Sequence, residues 1–159
     1  MGAVQAGPRV PESWRSRAAR WIANCAPAYR GCGARVTAIR DDFREVHVRL
    51  PLSWRTRNHV GLIWGGSLYA AIDPVLGVML RVLLGPGHYV VDRAATIAFL
   101  RPARGEVTGR FVIDDEEVAA IRALLTEQAK VDRHYVVELR DREGKVCVRC
   151  EKVVHIRRS

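Results

Sequence analysis

The period of hydrophobic and polar positions changes several times along the chain, and each change marks an element. From Glu12 to Ala26 apolar residues recur at helical spacing, with Trp14, Ala18, Trp21, Ile22 and Cys25 on one side. This predicts an amphipathic first helix packed on the domain by that stripe. Ala34–Arg40 and Glu45–Leu50 read as two strands around an Asp41-Asp42 turn, the second alternating Val46, Val48 and Leu50 against Glu45, His47 and Arg49. One face of that hairpin is therefore expected to be buried.

Pro51 and the polar stretch Ser53–His59 end the pairing, and a long apolar segment runs from Val60 to Leu84. Between Val60 and Leu80 its only formal charge is Asp73, a composition that a membrane span would share. Gly65-Gly66, Asp73-Pro74 and Gly77 interrupt it and Arg81 follows, so the expectation is a buried core helix over roughly Gly66–Leu83 and no membrane span.

Tyr89–Leu100, a Pro102–Gly105 turn and Glu106–Ile113 predict a further hairpin. Asp114 to Glu117 place acids at the start of a helix whose Val118, Ile121, Leu124, Leu125 and Gln128 share a face. The last two strands are Arg133–Arg140 and Val146–Ile156, around Gly144, with Val146, Val148, Cys150, Val154 and Ile156 pointing one way. Six strands and one helix without a polar face predict an α+β fold in which a curved antiparallel sheet wraps round that helix. The expected organisation is an N-terminal helical segment over residues 1–33 on a single domain over 34–159.

Composition narrows the function classes. All but three of the 26 basic residues (Lys130, Lys145, Lys152) are Arg and the net charge is +9, which favours phosphate or carboxylate ligands. The arginines are scattered among 17 acids without the basic, aromatic-laced stripe of a nucleic-acid interface, so no nucleic acid is expected. Cys147 and Cys150 form a lone C-x-x-C in a strand, where alternation puts them on opposite faces, so no metal is expected either. The cysteines read as those of a reducing cytoplasm. Arg9, Arg15, Arg17, Arg20, Arg30, Arg35 and Arg40 against Glu12 alone resemble a transit peptide in composition, but the amphipathic helix explains them as well. Met1-Gly2 lacks the Ser or Thr at position 6 that myristoylation requires.

The segment from Arg57 to Asp73 carries the candidate chemistry. It resembles the signature of hotdog-fold thioesterases of the phenylacetyl-CoA type, in which an Asn lies six residues before His-Gly-Gly and an acid follows the second Gly after six intervening residues. Asn58, Gly65, Gly66 and Asp73 match that spacing, while Trp64 stands at the His position. The chain looks closest to an uncharacterised hotdog subfamily with an extra helix before the last two strands. The resemblance covers roughly Arg35 to Arg157 and implies a hotdog fold, an acyl-CoA substrate, and a homodimer or dimer of dimers with the site between protomers. It implies no separate cofactor, because coenzyme A enters as part of the substrate.

The residues support that chemistry independently. Gly65-Gly66 at a helix start leaves backbone N–H groups unpaired and open to a carbonyl oxygen, the makings of an oxyanion hole. Equally, two glycines make a sharp turn. Asp73 on an apolar helix needs compensation; it reads as general base or nucleophile, or else as the N-cap of a helix restarting at Pro74. Asn58 is a candidate for holding water or the carbonyl, or a turn residue. Trp64 narrows or fills an acyl pocket, His59 is a candidate replacement for the missing imidazole, and Ser67 belongs to the same substrate-binding stretch. Arg101, Arg104 and Arg110 are candidates for the coenzyme A phosphates. The expected function is acyl-CoA hydrolysis, with a non-catalytic acyl-CoA or acyl-chain binding module as the alternative.

Overall fold

The computed structural model describes residues 10–159; the Met1-Gly2 start and Arg9 lie outside the described residues. Helices α1 (Trp14–Cys25) and α2 (Pro27–Cys32) precede strands β1 (Arg35–Ile39) and β2 (Glu45–Leu50), followed by the long helix α3 (Gly65–Leu84). Strands β3 (His88–Phe99) and β4 (Val107–Val112), helix α4 (Asp115–Glu127), and strands β5 (Lys130–Arg140) and β6 (Val146–Arg158) complete the chain. The strands form one antiparallel sheet in the order β1-β2-β4-β5-β6-β3. It curves round α3 in the hotdog arrangement. Half of α3 is buried, through Leu68, Ala71, Ile72, Val75, Leu76, Met79, Leu80 and Leu84, which identifies the long apolar segment as the core helix of the domain.

Three expectations are corrected. β3 and β4 are not a hairpin: β3 pairs with β6 over most of its length, and β4 lies between β2 and β5. The turn chemistry at Pro102–Gly105 stops a strand but does not choose its next neighbour.

The outward and inward faces of α1 are also exchanged. Trp14, Ala18, Trp21, Ile22 and Cys25 are exposed, whereas Ser16 is buried and Ala19 and Ala23 pack on the core. Small side chains let α1 lie close along β1, and its polar groups do the fastening. Asn24 accepts from Val36 N at 2.8 Å and donates to Val36 O at 2.9 Å, while the Glu12 carboxylate accepts from Ile39 N at 3.0 Å. The outer edge of β1 is thereby occupied. The opposite edge of the sheet, β3, has no such cover among the described residues: Tyr89, Arg93–Thr96, Ala98 and Phe99 are exposed.

In α4, Asp114 caps the first turn by accepting from Glu117 N at 2.8 Å, and Val118, Ile121 and Leu125 are buried as their spacing predicts. Gln128, predicted on the same face, is the exposed C-cap.

Candidate active site

The entry to α3 is held from both sides. Trp64 N donates to Thr56 O at 2.7 Å, and Ile63 N donates to Ala103 O at 3.0 Å, which ties the Arg101–Arg104 segment to the residue just before the helix. Trp64 is the N-cap and supplies no side-chain acceptor, so the N–H groups of Gly65, Gly66 and Ser67 open the helix without a cap. Ser67 itself is buried.

Neither glycine is needed for an unusual φ; both are needed for room. A Cβ on Gly65 would come within 3.1 Å of the Phe99 ring, and one on Gly66 within 2.7 Å of the Trp64 indole. Two aromatic rings therefore lie directly on the backbone that would receive a ligand carbonyl. The Trp64 side chain remains 61% exposed, so its indole folds over Gly66 from the surface. Phe99, invisible to motif reasoning, belongs to this group because β3 ends beside α3.

Asp73 sits elsewhere on the same helix. Seven residues at 1.5 Å rise separate it from Gly66 by about 10 Å along the axis. α3 runs unbroken through Pro74, so Asp73 is not the N-cap of a restarted helix. The expected apolar isolation of its carboxylate is also corrected: the side chain is 46% exposed and stands 3.6 Å from the ammonium of Lys152.

Lys152 is the residue that sequence reasoning missed. Its side chain is 0% exposed; Nζ donates to Asp92 Oδ2 at 2.6 Å and to the main-chain carbonyl of Asp73. Tyr69, one turn before Asp73, places its ring 6.0 Å from the same ammonium. Burial pushes the Tyr69 phenol up to about 12, and the neighbouring Asp73 carboxylate adds to the effect. The signal was parity: Lys152 shares the inward register of Val148, Cys150, Val154 and Ile156 on β6, yet is charged.

The other candidates divide. The Asn58 side-chain oxygen accepts from Val60 N and Leu62 N, both at 3.0 Å, so its carbonyl shapes the loop and only its amide N–H groups remain for a ligand. His59 is exposed. Arg101 and Arg104 are exposed in the segment next to the helix start. Arg110 is not with them: it lies mid-strand in β4, opposite His47, and is bound through Nε and Nη2 to the Glu45 carboxylate at 2.6 and 3.2 Å. Placing it at the turn ignored that β4 pairs with β2, where Glu45 waits. The structure thus groups Trp64, Gly65, Gly66 and Ser67 with Phe99 and the Arg101–Arg104 segment, and separately groups Tyr69, Asp73, Asp92 and Lys152.

Residues 15–156 match a family described as a domain of unknown function, DUF4442. The chain belongs to this family. No curated protein matches it. Among solved structures, this DUF4442 domain is similar to a Pseudomonas aeruginosa protein of unknown function described as a probable thioesterase, at 20% identity and a TM-score of 0.82, over 94% of this chain and 99% of the other. It is also similar to a thioesterase from Haemophilus influenzae, at 17% identity and 0.69, over 94% of each chain. A mutant thioesterase from Pseudomonas aeruginosa matches at 13% identity and 0.68, over 99% of this chain and 100% of the other. At these identities the likeness establishes the hotdog fold, and the residues described above carry the argument for this DUF4442 domain's chemistry.

Proposed function

We propose that this domain hydrolyses thioesters of coenzyme A, with Asp73 as general base or nucleophile and the backbone N–H of Gly66 as oxyanion donor. The observation that carries the reading is the Asp73 carboxylate, half-exposed on a core helix whose one other charge is Arg81 in its last turn, and held near a buried lysine. With 46% of its side chain exposed, that carboxylate is within reach of a ligand. The thioesterase names attached to the similar structures support the reaction class.

In this reading Asp73 takes a proton from water as the water attacks the thioester carbonyl, and the Gly66 N–H stabilises the oxyanion of the tetrahedral intermediate. Collapse breaks the C–S bond and expels the coenzyme A thiolate, which takes up the proton; the products are a carboxylic acid and free coenzyme A. Direct attack by Asp73 would give a mixed anhydride that water then opens. The Asn58 amide N–H groups suit the attacking water, and Arg101 and Arg104, beside the helix start, suit the phosphates.

About 10 Å along one helix is too far for Asp73 and Gly66 to act on the same carbonyl. A second copy resolves this, with Asp73 of one protomer facing Gly66 of the other. The sheet supports such pairing: the β1 edge is taken by Asn24 and Glu12, while the twelve-residue β3 edge is open next to both groups.

A second reading has its own observation. The indole of Trp64 lies over Gly66, on the approach to the oxyanion donor, as in a domain that binds an acyl-CoA without cleaving it. Thiol release from a chain-length panel of acyl-CoAs by wild type and Asp73→Asn decides between them. Hydrolysis is expected in wild type and a loss of roughly a hundredfold or more in the variant, with binding retained. Equal rates in the folded variant would refute the role of Asp73; binding without thiol release in wild type would establish the second reading.

A further inference from the structure

We propose that Lys152 is the positioning residue of the thioester site: its buried ammonium, shared between Asp92 and Asp73 and bonded to the Asp73 main chain, orients the Asp73 carboxylate. The inference rests on the reading of Asp73 as base or nucleophile.

A lysine is almost never fully buried unless paired, and a buried pair is poor value as stabilisation, because apolar residues of similar volume commonly serve as well or better. Lys152 lies among Cys150 and Val154 on the inward face of β6, where an apolar residue would continue the pattern. Retaining an ammonium there points to what it holds. Its Nζ donates two hydrogen bonds, to Asp92 Oδ2 at 2.6 Å and to the main-chain carbonyl of Asp73, and stands 3.6 Å from the Asp73 carboxylate as an ion pair without a hydrogen bond. The carbonyl contact anchors Nζ to the backbone of the residue whose side chain it faces. The carboxylate is thus steered by an ammonium fixed to its own main chain.

The charge balance fits. One ammonium between two carboxylates leaves a single net negative charge, and it rests where solvent reaches, on the half-exposed Asp73. Asp92 takes the shorter contact at 2.6 Å, so it competes for Lys152 and leaves Asp73 the longer one at 3.6 Å. A register shift between Asp92 and Ala94 interrupts the β3–β6 ladder at this point, a bulge of the kind that re-aims a side chain beside a site. Among the described residues Asp92 Oδ1 is buried without a partner, so Asp92 is not placed for its own satisfaction.

The groups facing Lys152 are Tyr69 and Asp73 from α3, Asp92 from β3 and the Cys150 thiol two residues along β6, which burial pushes up. From β5, Tyr135 is in register with Lys152 but donates its hydroxyl to Glu117 at 2.7 Å. No other cation among these groups competes with Lys152.

The test compares wild type, Asp92→Asn, and the double variant Lys152→Met/Asp92→Asn, which leaves only the half-exposed Asp73 carboxylate without its cation and so keeps the fold available. Thiol release from acyl-CoA is followed against pH. In Asp92→Asn, Lys152 is free to close on Asp73, so the acidic limb of the rate profile should move to lower pH. In the double variant it should lie at least about one pH unit above that of Asp92→Asn, with kcat at neutral pH changed at least several-fold and KM within threefold. A purely structural lysine would alter the thermal midpoint and leave the limb in place; coincident limbs in all three folded proteins overturn the proposal. If wild type releases no thiol, the hydrolase reading fails, and carbon-13 titration of the Asp73 carboxyl still decides this one. A midpoint lower in Asp92→Asn than in the double variant supports it, and identical midpoints overturn it.

Discussion

Replacing Glu45 by Gln tests whether Arg110 belongs to the sheet. The Glu45 side chain is 9% exposed and its carboxylate accepts from Arg110 Nε at 2.6 Å and Nη2 at 3.2 Å, with His47 Nε2 at 2.7 Å. The Arg110 hydrogen bond, with His47 adding to it, pulls the carboxyl from 4.5 down to about 2. A carboxyl depressed in the folded state contributes stability that is complete above its unfolded value and is lost as pH falls toward its folded value. The window is therefore from about 4.5 to about 2. A shift of that size corresponds to about 3 kcal/mol. Arg110 is 63% exposed, and solvent screening reduces the expected contribution to about 1–2 kcal/mol. Glu45→Gln keeps the volume and removes the charge, so at pH 7 the melting temperature should fall by about 2–8 °C. Urea unfolding at pH 7, 5, 3 and 2 is the direct assay. The gap to wild type should be full at pH 7, less than half at pH 3 and nearly closed at pH 2. Equal midpoints at pH 7, or a gap that stays constant to pH 2, would refute the account.

Arg101→Glu and Arg104→Glu should each weaken coenzyme A binding several-fold in calorimetry, and added salt should weaken the wild-type interaction; unchanged affinity in the double variant removes these residues from the phosphate site. Gly109→Ala should cost about 1–3 kcal/mol in thermal or urea unfolding, because the new Cβ would meet the buried Leu139 side chain at 2.8 Å and the Phe111 ring at 3.2 Å; an unchanged midpoint would show that these side chains can move aside. Light scattering at micromolar concentration should give a mass at least twice that of one chain, and a monomer would contradict a site shared between protomers.

Periodicity carried most of the fold. Val46, Val48 and Leu50 are buried as alternation predicts, and the acids from Asp114 to Glu117 open α4 as their charge predicts. Long-range pairing was not legible, since nothing local to Glu106–Ile113 says that it joins β2 and not β3. The face of α1 was misjudged because two large tryptophans stand out over two alanines in a helical pattern, whereas packing against β1 selects for small side chains. For the site, the Asn58–Asp73 spacing located the segment, but it could not show that Trp64 folds onto Gly66 or that Lys152 reaches across from β6. Those are contacts across the sheet and helix, and no pattern within one segment encodes them.

The way α1 fastens to β1 also sets how far an assembly can grow. A monomer with two reactive ends polymerises, whereas a monomer with one reactive end joins a single mate and stops. Asn24 and Glu12 occupy Val36 N–H, Val36 C=O and Ile39 N–H at one end of this sheet, so among the described residues β3 is the end that stays open to a mate. Removing both fastening side chains should uncover the second end and raise the tendency of copies to associate there.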